Sequence, residues 1–145
     1  MKNLRNLAKR IFVFSAVLLS LFVIPFNNSF ADTFYKNTIN VRINKDGSAD
    51  IESIMDFEPS KGTEYFVPVN NLGKSEIVNF KVSEIKNGKE VPYESLESWN
   101  TKKTREEKAK KSGVVKTDKG YELCFGFGEY QRKTFILRYR VTNFI

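Results

Sequence analysis

The sequence predicts an all-β protein, an antiparallel β-sandwich (immunoglobulin-like in general architecture) with one short surface helix. Three observations predict it. Apolar residues alternate with polar ones in several short runs, as in Ile39, Val41 and Ile43 or Phe135, Leu137, Tyr139 and Val141. That period of two belongs to strands with one buried face. The runs are joined by glycine-containing turns, Asp46-Gly47 and Asn87-Gly88 among them, whose residues tolerate the positive φ of tight hairpins. Only Asn100–Ser112, with Ala109 as its one apolar residue, departs from the pattern.

The elements follow in order. Thr38–Asn44 is expected as a strand burying Ile39, Val41 and Ile43, and Ala49–Phe57 returns from the Lys45–Ser48 turn. Glu64–Val69 is a short strand that Pro68 confines to a sheet edge, because proline has no N–H for a ladder. Ile77–Ile85 alternates through Val78, Phe80 and Val82, and Val91–Tyr93 begins the return from Asn87-Gly88. Tyr121–Phe127 places Leu123, Phe125 and Phe127 on one face, with the small Cys124 and Gly126 on the other. Thr134–Thr142 closes the fold. The helix is expected over Arg105–Lys111: Thr104 and Glu107 have capping-box spacing, acidic residues stand at its start, and Lys108, Lys110 and Lys111 stand near its end.

Ahead of this domain, Lys2, Arg5, Lys9 and Arg10 precede the apolar run Ile11–Phe26, which gives way to a polar stretch with small residues at Ser29 and Ala31. That order marks a secretory signal over residues 1–31, cleaved between Ala31 and Asp32. A retained anchor is the alternative, but the run is shorter than the ~20 apolar residues of a spanning helix. Residues 32–145 are then a single exported domain, extracellular or attached to the outer face of the cytoplasmic membrane. The full chain carries 24 basic and 17 acidic residues, a net +7. Removing the signal's four basic residues leaves 20 against 17, or +3, which weakens a nucleic-acid reading.

Composition excludes much chemistry. With no histidine, Ser-His-Asp and Cys-His catalysis and the usual zinc site are gone. The lone Cys124 allows neither an intrachain disulfide nor a thiolate cluster. Its place in a strand beside Phe125 suits a small core residue better than a nucleophile. Asp46, Ser48, Asp50 and Glu52 have too few carboxylates for a calcium loop, and Gly47 comes too early for one. Gly126-Phe127-Gly128 is half of a phosphate-binding motif; small residues at Cys124, Gly126 and Gly128 fit the close approach of another strand or loop better. Neither a cofactor nor a metal is expected.

One basic cluster remains, formed by Lys102, Lys103, Arg105, Lys108, Lys110 and Lys111. It offers contact with anionic lipid headgroups or acidic wall polymers, although a solvated helix face is the commoner role of such a run. Trp99, just before it, suits anchoring the helix to the sandwich better than stacking on a sugar.

Gly62-Thr63-Glu64-Tyr65-Phe66, Trp99, Glu106-Glu107-Lys108-Ala109, Gly120–Gly126, Leu137-Arg138-Tyr139 and Thr142-Asn143-Phe144 together resemble one family. It is a group of predicted bacterial membrane proteins, largely Gram-positive, known by a domain of unknown function. The likeness is to their extracytoplasmic N-terminal domain. It implies a β-rich domain outside the membrane, followed by more chain and a transmembrane segment; it brings no catalytic residues. Ile145 comes before any such segment, so a truncated relative and a stand-alone secreted form are both open.

The expected function is that of an exported, non-enzymatic interaction domain at the outer membrane surface or cell wall. Its partner would be a membrane or cell-wall protein or an anionic envelope polymer. One alternative is a carboxylate-based wall or glycan hydrolase using Glu94, Glu122 or Glu129, which requires two carboxyl groups about 5–9 Å apart. The other is a remnant of a longer membrane protein.

Overall fold

The computed structural model describes residues 31–145; the expected signal, apart from Ala31, lies outside them. Among the described residues, nine strands form two face-packed sheets. They are β1 (Thr33–Ile43), β2 (Ala49–Glu58), β3 (Glu64–Asn70), β4 (Ile77–Lys86), β5 (Lys89–Pro92), β6 (Glu94–Ser95), β7 (Lys111–Thr117), β8 (Gly120–Gly126) and β9 (Lys133–Val141). A four-residue helix, α1 (Arg105–Lys108), precedes β7. One sheet runs β1-β2-β9-β4-β5, the other β3-β8-β7-β6. All pairs are antiparallel except β6 with β7. The two-sheet all-β sandwich read from the alternation is the fold observed.

The core lies between the sheets. Phe57 and Phe135 of the first sheet and Leu123 and Phe125 of the second are fully buried. The Phe125 and Phe135 rings meet across the interface at 4.9 Å between centroids. Truncating a phenylalanine in such a setting costs about 3–5 kcal/mol. Both glycine turns have the required backbone: φ is +78° at Gly47, and +53° and +73° at Asn87 and Gly88. Pro68 lies in β3, an edge strand.

Four expectations are corrected. The row Ile39, Val41 and Ile43 is not buried. It lies on the inward face, opposite Ser53, Ile51 and Ala49 of β2, yet stays exposed, whereas at the start of β1 the Phe34 ring reaches Tyr65 of the second sheet, 5.4 Å between centroids. In β4 a bulge between Val78 and Lys81, with Asn79 at φ +57°, breaks the alternation; Ile77 and Phe80 point inward and Val78 does not. The helix ends at Lys108 rather than Lys111. There Ala109 bridges to Gly126 and the Lys110 N–H donates to the Gly126 carbonyl at 3.3 Å, so pairing with β8 replaces the next helical turn. Lys111 therefore opens a strand, β7, that the alternation did not reveal, and Gly113 lies inside that strand instead of stopping the helix.

Candidate functional site

The segment Trp99–Lys110 lies over the outer face of the second sheet, and small residues let it in. A Cβ on Gly126 would collide with the Lys108 backbone, one on Gly113 would press on the Trp99 ring at 3.1 Å, and one on Gly128 would touch Ala109 at 3.3 Å. The small face of β8 therefore receives a chain segment, and Trp99 is the buried anchor expected of it. The Thr104–Glu107 capping box is present in both halves, at 3.3 and 2.9 Å.

The same packing dismantles the basic cluster as a surface. Lys108 is buried. Its Nζ lies 2.9 Å from Glu64 Oε2 and donates to Thr63 Oγ1 at 2.9 Å and the Thr101 carbonyl at 2.7 Å. All three ammonium donors are thus satisfied inside the protein. The Glu64 carboxylate also accepts from the Trp99 indole N–H at 2.5 Å. Arg105 is half-buried, its guanidinium 4.7 Å above the Tyr130 ring. Lys102, Lys103 and Lys110 are exposed and Lys111 partly so. No continuous six-residue cationic face exists.

Cys124 is buried beside this cluster. Burial, reinforced by the nearby Glu64 and Glu122 carboxylates, pushes its thiol up to about 12; the thiolate a nucleophile requires is disfavoured. Asp46 accepts from the Ser48 N–H at 3.0 Å and its hydroxyl at 2.6 Å, closing the hairpin turn. Asp50 receives Arg140 in two hydrogen bonds, 2.7 and 3.2 Å, and Arg42 at 2.7 Å; Arg140 first, then Arg42, hold it well below the ordinary carboxylate range. Glu52 pairs with Arg138 at 2.8 Å, and Arg138 also bonds Glu90. These carboxylates belong to an arginine ladder across the outer face of the first sheet. Ala31 and Asp32 are exposed, and Asp32 Oδ1 accepts from the Ser60 N–H at 2.9 Å.

The structure does not bring Glu94 and Glu122 together. Glu94 pairs with Lys111, whereas Glu122 pairs with Val115 of the same strand. That offset of four residues across two strand spacings puts them more than about 12 Å apart. Glu129 lies in the loop after β8, 3.5 Å from Lys133. Spacing gave no hint of its neighbour Glu84, which is buried, accepts from the Tyr93 hydroxyl at 3.0 Å, and lies 3.3 Å from the same Lys133 Nζ. A cleft of about 450 Å³ opens here. The ammonium stands between the two carboxylates, where an acid–base pair would need its substrate.

A row of exposed aliphatic residues marks the second half of β1. Ile39, Val41 and Ile43 are 59, 51 and 46% exposed, and among the described residues no strand lies on the other side of β1. The signal that could have located it is the distribution of edge-protecting residues, since no proline or lysine falls between Thr38 and Ile43. Fold and site together define a β-sandwich with one open, apolar edge. Comparison with known proteins finds no family model, no curated protein and no solved structure that matches the chain.

Proposed function

We propose that this chain is an exported, non-enzymatic interaction domain of the outer membrane surface or cell wall, and that it engages a polypeptide strand through β1. The observation that carries the reading is the open edge, where main-chain donors and acceptors lie beside a row of exposed aliphatic side chains. Strand addition uses that combination: the backbone supplies affinity and alternate side chains supply selectivity. The basic start, apolar run and small-residue exit before Asp32 support export. The resemblance to extracytoplasmic domains of bacterial membrane proteins supports the same location. The distance between Glu94 and Glu122, and the Lys133 ammonium held by Glu129, weigh against the hydrolase alternative.

The test places a photo-crosslinking amino acid at position 41 in the full chain expressed in a bacterial host, with position 118, in the β7–β8 turn of the second sheet, as the control. The reading expects a processed N-terminus at Asp32 by mass spectrometry, and polypeptide adducts on intact cells from position 41 only. A chain retained in the cytoplasm, or adducts equal at both positions, overturns it.

A further inference from the structure

Unpaired strand edges template the addition of further strands, and proteins blunt them with short strands, prolines, lysines and bulges. Three of the four sheet edges here are blunted in this way. β5 has four residues, including Lys89 and Pro92; β3 contains Pro68; β6 has two residues. On β1 the bulge between Phe34 and Lys36, and Lys36 itself, fall in the first half. From Thr38 to Ile43 there is no such device, and the one charge, Arg42, is tied to Asp50 at 2.7 Å.

The backbone of this half faces outward at defined positions. The Asn44 N–H donates to the Ser48 carbonyl at 2.8 Å. Antiparallel ladders alternate, so residues 42, 40 and 38 bond to β2 while 39, 41 and 43 turn their N–H and C=O groups to the open side. The same three residues carry the exposed aliphatic row. The sequence of the edge also suits its own reverse.

We infer that the occupant of this edge is β1 of a second copy, running antiparallel with Val41 on the twofold axis, so that two five-stranded sheets become one of ten strands. The inference rests on the reading of β1 as the interaction edge. In this register Val41 faces Val41 and Ile39 faces Ile43 twice, giving three aliphatic cross-strand pairs. Asn40 faces Arg42 on the outer side, and Lys36 comes alongside Asp46 of the other copy, opposite in charge, in a turn that also holds Lys45. Registers that match outward groups with outward groups move the axis by one residue. Centring on Arg42 opposes two guanidinium groups; centring on Asn40 sets Ile43 against Asn37. A strand of unrelated sequence would not be expected to meet both the charge and the apolar pattern.

The experiment uses the processed form purified from the exporting host. Sedimentation equilibrium is expected to show a reversible dimer. Val41→Lys, a substitution at a half-exposed position, sets like charges opposite each other on the axis and weakens association at least about tenfold. Register is read with a short bis-maleimide. Val41→Cys crosslinks to itself, since its Cβ atoms lie about 5.5 Å apart across the axis. Ile39→Cys and Ile43→Cys crosslink as a mixture but not singly, because like positions lie about 13 Å apart along the strands. The buried, protonated Cys124 does not compete. A monomer at every concentration, or crosslinking of Ile39→Cys with itself at the rate of Val41→Cys, overturns the inference. Adducts from position 41 on cells to a different protein would overturn self-pairing yet leave the edge reading standing; the absence of any polypeptide adduct from position 41, to a second copy or to another protein, would remove both.

Discussion

The outer face of β8 and the inner face of β1 begin from the same kind of pattern and end in opposite states. On β8, Cys124 and Gly126 alternate with core residues, and the small side is covered by Trp99 and α1 down to a buried ion pair. On β1, Ile39, Val41 and Ile43 alternate just as cleanly, yet they stay exposed, with no cover among the described residues. Alternation states which residues share a face. Whether that face is covered depends on how far the opposing sheet extends, which is a property of strands elsewhere in the chain. A period of two therefore identifies a sheet face and leaves its burial open.

The largest expected effect that tests this contrast is at Lys108. Lys108→Met leaves the Glu64 carboxylate without its ammonium and is expected to cost about 3 kcal/mol in urea unfolding. Adding Glu64→Gln should recover part of that loss, because the surviving charge is then removed. If Lys108→Met unfolds at the wild-type midpoint, the covered side is held by something other than this pair. Gly126→Ala comes next, at about 1–3 kcal/mol, since the new methyl meets the Lys108 backbone. Gly128→Ala meets a side-chain carbon at 3.3 Å and should cost less than about 1 kcal/mol.

Acid sharpens the contrast on the first sheet's outer face. Asp50, Asp56 and Glu90 are held below the ordinary carboxylate range, chiefly by Arg140, Arg132 and Arg138 respectively. For groups lowered on folding, the added stability is present above their unfolded pKa, about 4, and is lost as pH falls toward the folded values. Thermal melts should therefore decline below about pH 4, and less steeply for Asp50→Asn. An unchanged slope in that variant would show that the arginine ladder adds nothing to folding. The smallest effect is expected on the open side: Val41→Thr should shift stability by no more than about 0.5 kcal/mol, the ordinary range for surface substitutions. A loss of 2 kcal/mol would mean that this row is covered after all.

The fold was largely legible because its signals are local. The Asp46-Gly47 and Asn87-Gly88 turns, Pro68 at an edge and the Thr104–Glu107 cap each depend on residues within a few positions of one another. β7 was not legible, because Lys111, Ser112 and Gly113 read as polar or helix-ending, while Ser112 and Gly113 are buried by packing that local pattern does not show, Gly113 under the Trp99 ring. The role of Lys108 was hidden for the same reason. Its partner Glu64 is far along the chain, and a lysine among lysines resembles a solvated face. The open edge could be read only in part: the sequence shows that Thr38–Ile43 lacks protecting residues, but not that its aliphatic row stays exposed.

The register of the first sheet has a mechanical consequence. Thr33 pairs with Glu58 at one end of β2, and Val141 pairs with Ala49 at the other, so the two points lie about 30 Å apart along the strands. Tension applied between them pulls β1 and β9 in opposite directions on either side of β2. The ladders are then loaded in shear, with many hydrogen bonds strained together instead of being unzipped one by one. A domain threaded in this way resists stretching along its strand axis more strongly than across it.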